Sequence, residues 1–365
     1  MLNAALDRTL DSAIDRGIDF LLAQAEADFA EARHEMTFPH AAGFSGACER
    51  QSTDVFARAV LSGVICDILD VEGGDGRSRE LRRVARREAA YVAGRKLAHC
   101  EGGWSYFPDL PELPPDADSL AAALSLFARI APAHVELCRR SVDMVLEGAR
   151  PDGSFETWIM PPDDGSSLRT HMERGVRYYW GSGTDIDVVA HFYHALLLAD
   201  PIRYAAAIQR GAATIASAQG PDGAWQSTWY VGPAYGTSLC LQLLRDADLG
   251  AEAAAKAHAA LRETQRDDGT WGLERPLPLE TAVSMWALRW SRDAGVRAAV
   301  ARAADALVQM QESDGSWELS PWICMPIGRA TGQVRRLATY QSVTITSAFC
   351  LRSLVAAREW AEPPA

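Results

Sequence analysis

No stretch of the 365-residue chain approaches the roughly 18 consecutive apolar residues of a membrane-spanning helix, although 48% of its residues are hydrophobic. The first residues, Met1 to Asp19, are too often charged to form the apolar core of a secretory signal. Basic charge is in deficit: 36 Lys and Arg against 48 Asp and Glu give a formal net charge of -12. That excludes a general nucleic-acid binder, which needs a basic face for phosphates. Cysteine is scarce, and the seven present are odd in number and form no Cys-x-x-Cys pair. Neither a disulfide framework nor a zinc knuckle is expected. The expectation is a cytoplasmic globular protein with reduced thiols, no nucleic-acid partner, and at most peripheral membrane contact.

What is abundant is a repeat. Acidic or Gln-led turns ending in Gly-x-Trp or Gly-x-Phe recur as EGGW (101–104), PDGSF (151–155), QGPDGAW (219–225), QRDDGTW (265–271) and QESDGSW (311–317). Their acidic positions, Glu101, Asp152, Asp222, Asp268 and Asp314, are separated by 51, 70, 46 and 46 residues. The unit is about 46 residues, with an insertion in the second interval. A turn glycine and a buried Trp explain these turns structurally, so they identify a fold and not a reaction.

Ala-rich amphipathic stretches precede the last three turns, at Ala207 to Ala218, Ala253 to Thr264 and Ala298 to Met310. More uniformly apolar stretches alternate with them: Asp54 to Leu69, Asp118 to Ile130, Asp187 to Leu198, Thr237 to Leu244, Glu280 to Trp290 and Ser342 to Leu354. Most open with Asp, Thr or Ser, the residues that cap free helix N–H groups. Helices apolar nearly all round are buried on several sides. The pattern predicts an all-α protein with minimal β content: an (α/α)6 barrel of two concentric rings, formed as a single domain over residues 1–365.

The loops leading into the inner helices gather at one end, where helix N-termini favour negative charge. Three features fall there. Asp116 and Asp118 end the segment GGWSYFPDLPELPPDADS (102–119), and Asp185 and Asp187 occupy the same point of the next repeat, with His191 and His194 following on that helix. Two loops are rich in aromatic and basic residues. The first carries Arg169, His171, Arg174, Arg177, Tyr178, Tyr179 and Trp180; the second carries Trp322, Arg329, Arg335 and Arg336. The arginines suit bidentate binding of a diphosphate or carboxylate. For each acidic pair, helix capping competes with a chemical role.

Here the chain resembles the class II terpene cyclase family, the squalene-hopene cyclase type, with its QW repeats and acidic DxDD motif. The repeat resemblance covers nearly the whole chain, and its length implies a single-barrel member of the terpenoid cyclase and prenyltransferase toroid. The motif falls on Asp116-Ala117-Asp118-Ser119, and its central acid maps onto Asp118; the last Asp of the motif is Ser119 here. The resemblance implies an isomerase- or lyase-type enzyme of terpenoid biosynthesis. Its Asp118 would protonate a linear polyprenyl substrate, either a prenyl diphosphate or a meroterpenoid. No cofactor or protein metal site is implied, with Mg2+ relevant only if the substrate is a diphosphate. An alkene is a very weak base, so the acid must be kept protonated in a dry site. Aromatic faces must then stabilise the cation. Tyr106, Phe107, Tyr179, Trp180, Trp229, Tyr230, Tyr235 and Trp322 are candidates, with Arg174, Arg177, Arg335 and Arg336 for the polar head. Asp185, Asp187 and His191 could orient or reprotonate the acid, or take the final proton.

Two other classes compete. A carbohydrate-active (α/α)6 enzyme would also use paired carboxylates and aromatic platforms. A non-catalytic terpenoid-binding toroid would need no acid at all.

Overall fold

The computed structural model describes residues 2–72, 76–98, 100–291, 293–332, 334 and 336–361. Thirteen α-helices are present among them. Six form an inner ring: α2 (Val55–Val71), α4 (Ala117–Ile130), α7 (Ile186–Ala199), α9 (Ala234–Asp246), α11 (Pro278–Leu288) and α13 (Val343–Ala361). Each packs on the next, and α13 closes onto α2. Their apolar composition is what allows this. In α11 every residue from Pro278 to Leu288 is buried, as a helix covered on all sides requires.

Six amphipathic helices shield that ring: α1 (Leu2–Glu26), α3 (Gly76–Gly94), α5 (Arg139–Glu147), α8 (Ala205–Ser217), α10 (Ala251–Glu263) and α12 (Ala294–Gln309). Helix α3 is typical, burying Leu81, Val84, Ala85, Glu88, Ala89 and Val92 on one face while its arginines face out. The fold is the expected (α/α)6 toroid, and the inner helices coincide with the uniformly apolar stretches. A short helix, α6 (Ser167–Gly175), lies in the insertion.

The repeated turns are joints between outer helices. The indole N–H of Trp225, Trp271 and Trp317 donates to the carbonyl ten residues earlier, on Ile215, Leu261 and Leu307, at 2.8, 2.8 and 2.7 Å. The side-chain amides of Gln219 and Gln265 donate to their own turn and to the following outer helix, at Ala253 O (2.7 Å) and Ala299 O (2.8 Å). Gln311 does the same to Ala13 O of α1 at 2.9 Å. The N-terminal helix is thus the outer partner of the last repeat. Gly223, Gly269 and Gly315 have φ of 84, 85 and 89°, and a Cβ on Gly315 would lie 2.3 Å from Arg16 O. Only glycine fits that approach.

Two antiparallel hairpins complete the chain: β1 (His34–Thr37) with β2 (Arg50–Thr53), and β3 (Ser320–Ile327) with β4 (Arg336–Ser342). The second occupies the segment read from sequence as an arginine-rich loop.

Candidate active site

The starts of the inner helices converge on a narrow chamber of about 50 Å³. Phe56 enters from α2, Asp116 and Asp118 from α4, Trp229 and Tyr230 from the turn before α9, and Ile323 and Met325 from β3. Tyr106, Leu113, Thr157, Trp158 and Trp180 complete the wall. Six of these side chains are aromatic, and the only ionisable carboxyls among them are Asp116 and Asp118.

Asp116 is the N-cap of α4. Its Oδ1 accepts from Ser119 N–H at 2.6 Å and its Oδ2 from the Ser119 hydroxyl at 2.9 Å. The residue that departs from the family motif therefore completes a cap, holding Asp116 with two donors. Burial nevertheless pushes the Asp116 carboxyl up to about 7, and the neighbouring Asp118 adds to this against the pull of the Ser119 bonds.

Asp118, two residues further, is buried and points between two elements. His191 Nδ1 of α7 lies 2.5 Å from its Oδ1, and the Tyr230 hydroxyl donates to its Oδ2. Tyr230 packs on Tyr235 in a tilted contact with centroids 4.2 Å apart, and both contact Trp322. Phe56 stacks on Trp322 from the other side at 5.8 Å. The acid thus stands on an aromatic floor.

Asp185 and Asp187 are buried beside the chamber and do not line it. Asp185 accepts from the Thr157 hydroxyl (2.6 Å) and the Trp229 indole (2.8 Å) and is gripped by Arg329 at 3.1 and 3.2 Å. Asp187 accepts from Thr228 N–H at 3.2 Å, and burial followed by the charge of Asp185 pushes its carboxyl up to about 7. Both fasten the loop that carries Trp229 and Tyr230. His194 points away from the acid, to Asp246 at 2.9 Å.

The remaining candidates divide by position. Tyr106, Trp180, Trp229 and Tyr230 are chamber walls, while Phe107, Tyr235 and Trp322 pack behind them. Tyr106 is held by His34 Nδ1 at 2.9 Å, and burial drops that imidazole to about 4. Tyr179 packs on Phe44 outside the chamber and donates to Ala42 O. Arg174, Arg177 and Arg336 are exposed and stand away from the chamber wall. Arg335 lies outside the described residues. Phe56, Leu113, Trp158, Ile323 and Met325 were not singled out from sequence. Phe56 had one signal: it stands two residues past the α2 cap Asp54, in the register that Asp118 has to Asp116. No cluster of three metal-ligating side chains occurs among the described residues.

A family model for the squalene-hopene cyclase C-terminal domain matches residues 182–276. Terpentedienyl-diphosphate synthase from Kitasatospora griseola is 29% identical over 158 residues, 39% of this chain and 32% of that enzyme. The chain therefore aligns with about a third of the length of this curated relative. Among solved structures, a variant of the type II terpene cyclase MstE from Scytonema, in complex with its substrate geranylgeranyl dihydroxybenzoate, superposes with a TM-score of 0.70. It covers 97% of this chain and 98% of that one at 18% identity. The ent-copalyl diphosphate synthase from Streptomyces platensis matches with a TM-score of 0.54 at 21% identity, over 83% of this chain and 50% of that one.

Proposed function

We propose that the chain, similar to the squalene-hopene cyclase C-terminal domain over residues 182–276, is a protonation-initiated terpenoid cyclase of the class II type acting on a linear polyprenyl substrate, with Asp118 as the general acid. The observation that carries this reading is the position of Asp118: a buried carboxyl on the wall of a chamber lined by six aromatic side chains, held by His191 and Tyr230.

The chemistry follows from that position. The Asp118 carboxyl proton passes to a terminal alkene carbon, leaving a tertiary cation and an aspartate. Internal double bonds attack the cation in turn to close rings, and loss of a proton or capture of water ends the sequence. Tyr230 and His191 offer hydrogen bonds to the aspartate left behind, which lowers the cost of the first step. Phe56, Tyr106, Trp158, Trp180, Trp229 and Tyr230 offer π-faces to the migrating cation, each worth roughly 0.5–2 kcal/mol in a dry site. Their apolar surfaces keep out water that would quench it. Asp116, with its pKa near 7, adds little negative charge to the chamber while protonated.

The substrate class is a prenyl diphosphate or a prenylated arene, and the acid step needs no metal. Mg2+ would enter only with a diphosphate head. The carbohydrate-active alternative is disfavoured by the same wall, because sugar hydroxyls need several polar partners and this chamber supplies few.

The test is incubation of the protein and its Asp118→Asn variant with geranyl, farnesyl and geranylgeranyl diphosphates and matching prenylated arenes, with and without Mg2+, followed by mass spectrometry. A cyclic isomer of unchanged mass, or its water adduct, made only with Asp118 present is the expected result. Substrate left untouched by both proteins would count against the reading.

A further inference from the structure

A second cavity, of about 80 Å³, runs between the inner helices from His191 and Tyr235 toward their C-terminal ends at Asp67, Arg129 and Trp286. That is several times the space one water needs. The inner helices run parallel, so their carbonyl ends and partial negative charges converge here. Arginines answer them: Arg129 donates to Gly63 O at 3.0 Å, and Arg289 to Trp286 O.

Side-chain carboxylates are fewer. Asp67 is shared by Arg129 at 2.7 Å and Arg352 at 3.0 Å. Asp70 takes the other arm of Arg129, and Asp246 takes Arg245 and His194. Arg289 has no carboxylate partner among the described residues and stacks on Trp286 and Trp290. Of these, Arg129, Arg352 and Asp67 line the cavity, two guanidinium groups against one carboxylate. Burial, and then the charge of Arg352, holds Arg289 below the usual guanidinium range.

Among the described residues, Arg352 Nε, Trp286 Nε1 and Ser125 Oγ are three of the buried side-chain donors left without a partner. All three residues line this one cavity, and Trp286 and Arg352 are more than nine-tenths buried. The helix carbonyls reach none of these atoms. An indole N–H and a guanidinium N–H can only donate, so whatever completes them must accept. We infer that the cavity is a binding site for a small oxyanion of the phosphate class, held by Arg352, Trp286 and Ser125 with the charge of Arg289 behind them. His191 also lines the cavity, and its Nδ1 meets Asp118 Oδ1 at 2.5 Å, so the cavity extends to the imidazole that holds the acid.

The test titrates the full chain with sodium phosphate, with sodium acetate, and with sodium chloride at matched ionic strength. It follows melting temperature and the indole N–H resonance of Trp286, assigned with Trp286→Phe. Phosphate is expected to raise the melting temperature saturably and to move that resonance, with affinity falling about tenfold in Ser125→Ala and further in Arg352→Gln. Ser125→Ala and Trp286→Phe leave Asp67 paired, so they answer even where Arg352→Gln does not fold. The inference fails if phosphate does no more than chloride, if acetate binds and phosphate does not, or if phosphate binds equally to Ser125→Ala and Trp286→Phe. Neither readout involves cyclisation, so this result stands apart from the test of the proposed reaction.

Discussion

His191 Nδ1 of α7 lies 2.5 Å from Asp118 Oδ1 at the start of α4, a contact across 73 residues between the two most closely packed inner helices. It fixes the orientation of a carboxyl whose other oxygen accepts from Tyr230. The two partners are not equivalent. His191 can donate or accept at Nδ1, whereas the Tyr230 hydroxyl only donates here, and burial and the Asp118 charge hold its pKa well above the ordinary phenol range. Replacing His191 with Gln is expected to lower kcat by about 10²- to 10⁴-fold with KM little changed, the range for a group that assists proton transfer. Tyr230→Phe is expected to cost about 10- to 100-fold, one hydrogen bond to a charged group. Steady-state kinetics with an accepted polyprenyl substrate checks both. A rise in KM at constant kcat in either variant would assign the residue to substrate binding instead.

Asp116 gives a prediction that needs no substrate. Its carboxyl has an unfolded-state value near 3.8 and is raised by burial to about 7 in the fold. The folded protein therefore holds the proton more tightly, and stability falls as pH rises from about 4 through 7. Asn keeps the cap, since Asn and Asp serve equally at that position, but removes the ionisation. Asp116→Asn is expected to melt at the same temperature as the parent at pH 4 and higher than it at pH 8, by roughly 1–3 kcal/mol of stability. Melting curves across that range decide it. Equal melting at pH 8 would mean that Asp116 ionises in the fold without penalty.

The barrel's closure can be weighed separately. Gln311 joins the last repeat to α1 through Ala13 O at 2.9 Å and Gly315 O at 3.0 Å. Gln265 makes the matching pair to Ala299 and Gly269 inside the ring. Each truncation to Ala is expected to cost about 1–2 kcal/mol. The Gln311 variant is further expected to speed amide exchange selectively in α1, the helix whose Ala13 carbonyl the Gln311 amide holds. Hydrogen exchange by mass spectrometry would show this, and uniform acceleration in both variants would refute it.

The ring was legible because its rule is repetitive. A helix buried on all sides must be apolar all round, and six such stretches stood out, most of them opening with Asp, Thr or Ser. Asp116 and Asp118 were legible for the same reason, as charges at the head of an apolar helix. The β3–β4 hairpin was not, since Pro321 and Pro326 interrupt its alternation and its register shifts between Pro321 and Ile323. Its residues Ile323 and Met325 were missed as chamber walls in consequence. Facing within a uniformly apolar helix leaves no periodic trace, which hid Phe56. Asp185 and Asp187 showed the converse difficulty: a buried acidic pair at a helix start reads the same in sequence whether it faces a chamber or secures a loop.

Arg329 tests what secures that loop. Its guanidinium grips Asp185 at 3.1 and 3.2 Å, donates to Trp180 O at 2.5 Å, and lies 4.8 Å over the Trp229 ring. Asp185 is 4% exposed, so losing the cation strands a carboxylate that the Thr157 and Trp229 donors alone must hold. Arg329→Gln is expected to cost about 3–5 kcal/mol, as breaking one side of a buried pair does. Asp185→Asn costs less, because Asn still accepts from Thr157. The double variant is expected to recover most of the loss of Arg329→Gln, giving a coupling of at least about 1 kcal/mol in a double-mutant cycle. Trp158, Trp180 and Trp229 form one side of the chamber and meet at this pair, Trp158 through its edge contact with Trp229 at 5.4 Å. Any cyclisation by the Arg329→Gln protein should therefore give a broader product mixture than the parent, as a looser wall no longer imposes one folding of the chain. Additive single-variant effects and an unchanged product profile would show that Arg329 only decorates the surface of the hairpin.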